Sequence, residues 1–233
     1  MKTEYFGHPN NVLSSVNWPR NAAEAQQAQR ELAAKVRILQ VAIPAPATVA
    51  GLDVSYSTDS EHMAAAVVVV DVHSGRIIEE SVAEGFSGFP YIPGLLAFRE
   101  VPILQHALGR LRSSPNVLLC DGQGLAHPRR CGIACHIGVL TGFPTIGCAK
   151  TWLIGEYDEP GPQRGDRTTL LDTGELVGHV LRTQDGVKPV YVSPGHRISF
   201  DQSCALVLQM SSKFRLPDPI RHADQLSRRA LQG

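Results

Sequence analysis

The sequence carries no excess of charge. Lys and Arg total 22 and Asp and Glu total 22, so the formal net charge at pH 7 is zero. That excludes a protein that coats a polyanion through bulk charge. Any nucleic acid must be met by positioned residues. There is no CxxC pair, and the five cysteines, Cys120, Cys131, Cys135, Cys148 and Cys204, are odd in number and widely spaced. A disulfide framework is excluded on that pattern, and a reduced, intracellular chain is expected. The opening MKTEYFGHPN lacks the apolar stretch of a signal peptide, and no apolar run approaches membrane-spanning length. The expectation is a cytoplasmic protein with no membrane partner. Internal repeats, low-complexity tracts and the GK[ST] signature of a phosphate loop are also missing.

What is present is core-forming material. Hydrophobic residues make up 43% of 233 positions, enough for one large core, and the charged fraction of 19% fits a buried sheet. A single domain over 1–233 is expected, with residues 1–19 as a polar arm. From Asn21 to Leu39, Ala25, Ala28, Leu32, Val36 and Leu39 recur at three or four, predicting an amphipathic helix. Thr48–Ser55, Ala64–Val72 and Arg76–Ala83 read as strands. The second is nearly all apolar and so buried on both faces, and the turn His73-Ser74-Gly75 makes it antiparallel to the third. Leu95–Leu111 reads as a helix that Pro102 should kink or split. Val117–Cys120, Arg130–Thr141 and Thr145–Ala149 then form strand, helix and strand, a parallel right-handed crossover. Gly155–Gly174 reads as a loop. Leu176–Arg182 and Pro189–Ser193 flank Asp185-Gly186 as a hairpin. Ser199 with Gln202 marks a capped helix start, and Asp218-Pro219 opens the last helix, to about Leu231. The sum is an α/β fold with a mixed sheet and helices on both faces.

Several residues could carry chemistry. Asp53 lies within Ala50-Gly51-Leu52-Asp53-Val54, where a carboxylate is costly unless paired or bound to metal; the plainer reading is a cap at a strand end. Asp121 follows an apolar strand and precedes Gly122-Gln123-Gly124. That is the carboxyl end where open α/β sheets bind ligands, and glycines admit close approach; the plainer reading is an Asp-Gly turn. Glu100 alone would be a solvated helical acid. The PYIPG segment before it holds Tyr91 between Pro90 and Pro93, a stiff tip suited to wedging between bases, or else a turn whose Tyr packs on the core. Arg129 and Arg130 could hold phosphates, and Lys150, at the end of a strand, could meet a phosphate or the scissile oxygen; each could equally be a surface charge. Cys131 and Cys135, with His136 adjacent and His127 nearby, could be imagined as a zinc site, but the favoured reading is small apolar residues packing on a helix. Carboxylates at neighbouring strand ends fit Mg²⁺, which takes one or two of them plus water and phosphate and can activate water for phosphodiester hydrolysis.

Taken in order, Gly51 to Val54, Pro90 to Glu100 (PYIPGLLAFRE), Asp121 to Arg130 (DGQGLAHPRR), Pro144 to Lys150 (PTIGCAK) and Ser193 to Arg197 (SPGHR) resemble the endonuclease V family of deoxyinosine-cleaving repair nucleases. The likeness spans roughly residues 22–229, and the PYIPG and DGQGLAHPR blocks are its most specific parts. It implies a ribonuclease-H-like fold and Mg²⁺-dependent hydrolysis, with Mn²⁺ substituting, of the second phosphodiester bond 3′ to deoxyinosine. Products would carry 3′-hydroxyl and 5′-phosphate ends. By the same resemblance Asp53 and Asp121 are metal ligands, Glu100 is the active-site glutamate, and Asp224 stands beside the metal. Tyr91 is the wedge that replaces the flipped base, and His127 and Lys150 contact substrate or tune the site. Backbone around Gly122 and Gly124 is expected to read hypoxanthine. The resemblance implies a monomer acting on deoxyinosine-containing DNA. Its rivals are an enzyme cutting inosine in single-stranded RNA, since no residue visibly reads a 2′-hydroxyl, and a non-catalytic nucleic-acid-binding protein, against which the retention of every acid argues.

Overall fold

The computed structural model describes residues 18–58 and 60–232. The arm expected over 1–19 therefore lies, up to residue 17, outside the described residues. The strands are β1 (Thr48–Tyr56), β2 (His62–Asp71), β3 (Ile77–Phe86), β4 (Val117–Cys120), β5 (Thr145–Ala149), β6 (Arg167–Asp172), β7 (Glu175–Leu181) and β8 (Val190–His196). They form one sheet in the order β3-β2-β1-β4-β5-β8-β7-β6. β1 is antiparallel to β2 and parallel to β4, and β4 is parallel to β5. The helices are α1 (Ala22–Ala33), α2 (Ala97–Gly109), α3 (Ile133–Thr141), α4 (Phe200–Gln209) and α5 (Asp218–Gln232).

Alternation along β1 divides the molecule into two layers. Ala50 and Leu52 join the core beneath α2 and α3, with Val54 and Tyr56 packed against it. The intervening Val49 joins the core beneath α4 and α5, and on that same face Gly51 meets α5. A Cβ on Gly51 would lie 2.1 Å from the Pro219 carbonyl carbon, so glycine lets α5 rest directly on β1. β2 contributes Ala65, Val67 and Val69 to one core and Ala66, Val68 and Val70 to the other, as expected of a strand covered on both faces. The mixed α/β sheet with helices on both faces is the ribonuclease-H-like fold.

The structure departs from the sequence reading in four places. α1 ends at Ala33 rather than Leu39; the chain then turns, and Ile38 bridges to Ile198. α2 runs unbroken through Pro102. The proline deprives the Phe98 carbonyl of its helical donor, and the Trp18 indole N–H replaces it at 2.9 Å. β6 lies inside the expected loop 155–174, pairing antiparallel with β7 as a sheet edge. The Ser199 cap forms with Gln202 N–H, but the Gln202 side chain bonds Ile43 backbone instead of closing the box. No helix among the described residues is long and apolar enough to cross a membrane.

Candidate active site

The parallel pairing of β1 with β4 sets Leu52 opposite Cys120, so Asp53 and Asp121 follow at adjacent positions. The Asp121 N–H donates to the Leu52 carbonyl at 3.2 Å, fixing the step between them. Asp53 lies within β1 opposite Ala66 of β2, which disposes of its reading as a strand-end cap. Glu100 comes from α2 on one side of the sheet and Asp224 from α5 on the other. All four acids line one cleft of about 820 Å³, together with Lys150 and Arg228. Four carboxylates against two cations leave that cleft short of positive charge.

Each acid is held by a neighbour. The Lys150 ammonium donates to Asp121 Oδ2 at 2.5 Å. The Tyr56 hydroxyl donates to Glu100 Oε1 at 2.9 Å, and the Arg99 guanidinium lies 4.9 Å from the Tyr56 ring centre while pairing with Glu61. The fully buried Ser227 hydroxyl lies 3.2 Å from Asp53 Oδ2, 3.0 Å from the Asp224 carbonyl oxygen and 2.8 Å from the Ser55 hydroxyl. Arg228 pairs with Asp224 at 2.9 Å. Burial above all, then the charges of Asp121 and Asp224, pushes the Asp53 carboxyl up to about 8; Lys150 opposes this and Glu100 adds to it. Burial also raises Glu100 to about 7 against the lowering effect of the Tyr56 hydrogen bond. Crowded, buried carboxyls from neighbouring elements are the kind of oxygen ligands that a hard divalent cation takes. Among the described residues no three His, Cys, Asp or Glu side chains are grouped so as to hold a metal ion by themselves. Carboxylates from neighbouring elements are the ligand type that Mg²⁺ takes, one or two of them with water completing its shell.

Beside the cleft, sharing Asp121 and Lys150 with it, lies a second pocket of about 430 Å³. Its walls are the PYIPG loop, Gly122 and Gln123, His127, and Thr151 with Leu153. Tyr91 stands at its rim 71% exposed, so it does not pack on the core. The loop beneath it is anchored by buried Phe89 and Leu95 against Phe98. The Gly94 carbonyl, at the base of the tip, accepts from Arg129 Nη2 at 2.8 Å and Gln29 Nε2 at 3.2 Å, and lies 3.0 Å from His127 Nε2. His127 Nδ1 accepts the Arg129 backbone N–H, so Nε2 carries the proton given to Gly94. Burial first, then Arg129, lowers this imidazole to about 4. His127 is thus a neutral brace between the two loops, with both ring nitrogens engaged.

Other expectations are corrected. Gly124 does not line the pocket: it is buried, its N–H donates to Ser193 Oγ at 2.8 Å, and a Cβ there would lie 2.4 Å from the Pro194 carbonyl oxygen. Its role is close packing, whereas Gly122 does face the pocket. Arg129 is spent on Gly94 and Gln29, and Arg130 on Asp172 at 2.7 Å and Glu175 at 2.8 Å, so neither is a free phosphate ligand. Cys131 and Cys135 are buried free thiols, and His136 packs between Trp18 and Phe98 with its pKa lowered by burial to about 3. They are core residues and not a zinc site. Tyr56, Ser227 and Arg228 escaped the sequence reading. Tyr56 and Ser227 touch acids from other elements, a relation no local spacing records.

Known proteins share this architecture. The endonuclease V sequence profile matches residues 30–225. An endonuclease V from Streptomyces avermitilis is 48% identical over 223 residues, covering 95% of this chain and 97% of that protein. The crystal structure of an endonuclease V from the same organism superposes with a TM-score of 0.89 at 46% identity, covering 93% of this chain and 95% of that one. Endonuclease V of Ciona intestinalis, in complex with a 24mer DNA containing an inosine followed by a ribo-adenosine, superposes with a TM-score of 0.81 at 31% identity, covering 90% of this chain and 97% of that one.

Proposed function

The chain belongs to the endonuclease V family, and on that premise we propose that it is a Mg²⁺-dependent repair endonuclease that nicks DNA at deoxyinosine. The cut falls at the second phosphodiester bond 3′ to the lesion and leaves 3′-hydroxyl and 5′-phosphate ends. The enzyme acts as a monomer, in the cytoplasm. One observation carries this reading: a cleft of four carboxylates adjoins a pocket roofed by a rigid, exposed aromatic tip. The first is machinery for a phosphodiester, and the second is a receptacle for a nucleobase taken out of its stack.

Asp53 and Asp121 would hold the ion, with Glu100 and Asp224 beside it. When bound, Mg²⁺ supplies charge stabilisation at the phosphate and makes a water nucleophilic near neutral pH. The chain's own residues do the rest. Tyr56 and Ser227 orient Glu100 and Asp53, so the acids need no reorganisation when substrate arrives. Lys150 holds Asp121 and presents the remainder of its ammonium to the strand as a cation. Tyr91 fills the gap left by the flipped base, while the Gly94 clamp keeps the tip from yielding. Gly122 lets the base approach the pocket wall closely.

The test is cleavage of three inosine-containing substrates in Mg²⁺, with adenine counterparts as controls: duplex DNA, single-stranded DNA and single-stranded RNA. The proposal predicts cutting of the DNA only where inosine is present. Faster cutting of RNA would move the chain to an RNA-directed role on the same machinery. No cutting of any substrate would leave it a binding protein.

A further inference from the structure

Arg228 is the one cation of the carboxylate cleft that neither the sequence nor its family resemblance singled out. It sits on α5 one turn beyond Asp224, about 6 Å further along the axis. Its Nε donates to Asp224 Oδ1 at 2.9 Å, and its two terminal amines make no hydrogen bond or ion pair among the described residues. The side chain is 65% exposed while still lining the cleft. A guanidinium tethered at Nε and open at both terminal nitrogens is a pre-aimed fork for two phosphate oxygens.

Its place in the groove says which phosphate. The base pocket and the carboxylate cleft meet at Asp121, Ile133 and Lys150; Tyr91 lines the pocket and not the cleft, Asp224 and Arg228 the cleft and not the pocket. The order across the surface is base pocket, carboxylates, Arg228. We infer that Arg228 grips the phosphate on the 3′ side of the scissile bond, so that the strand is held on both sides of the cut, by the flipped base upstream and by this guanidinium downstream. The inference rests on the proposed reading, in which the cut lies 3′ to a base seated in the pocket. The bland alternative is an i,i+4 ion pair that only stabilises α5.

The two are separated by binding, measured by fluorescence anisotropy in EDTA on a labelled duplex with a single deoxyinosine. Arg228→Gln keeps the stem and a hydrogen bond to Asp224, and Arg228→Lys keeps the charge. One lost phosphate contact lowers the slope of log affinity against log salt by about 0.9 on duplex DNA, with affinity falling roughly tenfold at low salt. The prediction is that loss for Arg228→Gln, and for Arg228→Lys a smaller loss of affinity with the salt slope kept, since the ammonium holds the charge without the fork. A neutral methylphosphonate at the phosphate just 3′ of the cut should weaken the parent protein to a similar degree and weaken Arg228→Gln no further. An unchanged salt slope in Arg228→Gln, or equal methylphosphonate losses in both proteins, overturns the assignment. The same titration on adenine-containing duplex keeps the outcomes apart. Absence of an inosine preference sinks the proposed function, whereas a preserved preference with an unchanged slope sinks only the role of Arg228.

Discussion

Asp53→Asn should stabilise the metal-free protein while destroying its activity. Burial and the neighbouring acids hold the Asp53 carboxyl at about 8, against an ordinary 3.8. Below roughly pH 4 both folded and unfolded chains carry the proton, so the site costs nothing. Between 3.8 and about 8 the folded state keeps a proton that the unfolded state releases, so stability falls as pH rises, and the full loss is reached above pH 8. At 1.36 kcal/mol for each tenfold change in acidity, the ceiling is ~6 kcal/mol. Burial is the largest cause of the shift, and an amide there is buried too, so one neutral substitution should recover only ~1–3 kcal/mol of that ceiling. For a domain of this size that is roughly 2–10 °C in Tm. Thermal melts in EDTA at pH 5, 7 and 9 measure it: the variant's advantage should be small at pH 5 and largest at pH 9. Added Mg²⁺ should raise the Tm of the parent by mass action and leave the variant nearly unmoved. A variant less stable at every pH, or an advantage that does not grow with pH, would refute the picture of buried carboxylates that destabilise one another.

Four further outcomes follow from the same geometry. Asp121→Ala should abolish nicking yet keep preferential binding of inosine-containing duplex, because Asp121 only edges the pocket, whose walls are otherwise the PYIPG loop, Gly122, Gln123 and His127; retained nicking in a cleavage assay would remove Asp121 from the metal site. Tyr91→Ala should weaken binding of inosine-containing duplex by ~1–3 kcal/mol, a stacking contribution, with Tm unchanged because the ring is exposed; unchanged affinity by anisotropy ends the wedge role. Gly51→Ala forces α5 away from β1 and should cost ~1–3 kcal/mol or more in chemical denaturation, with activity falling as Asp224 is displaced. His127→Gln should loosen the PYIPG tip and raise KM without moving the pH profile between 5 and 8, since the imidazole is already neutral there; an altered profile would show that His127 titrates in the reaction.

The central strands were legible because burial on both faces leaves unbroken apolar runs, as in β2 and β4, and because β4-α3-β5 is a local unit with short links. β6 was not legible. Its Arg167–Asp172 segment is an edge strand with only Leu170 fully buried, so its composition resembles a loop. After α1 ends, Ile38 bridges to Ile198, and the Phe98 carbonyl freed by Pro102 in α2 accepts from the Trp18 indole, both long-range contacts that no window of sequence contains. At the site, Asp53 and Asp121 could be nominated from strand position alone. Glu100 and Asp224 could not, because α2 and α5 deliver them from opposite faces of the sheet. Arg129, Arg130 and Gly124 look like ligand residues in sequence and prove to be braces, since their partners come from elements distant in the chain.

The most direct measurement is single-turnover nicking of a 5′-labelled duplex bearing one deoxyinosine, with the product end mapped to the nucleotide, in Mg²⁺ and in EDTA. The account predicts one product in Mg²⁺, ending in a 3′-hydroxyl after the nucleotide 3′ to inosine, and none in EDTA. Cleavage in EDTA, cleavage indifferent to inosine, or a cut at the lesion itself would contradict it.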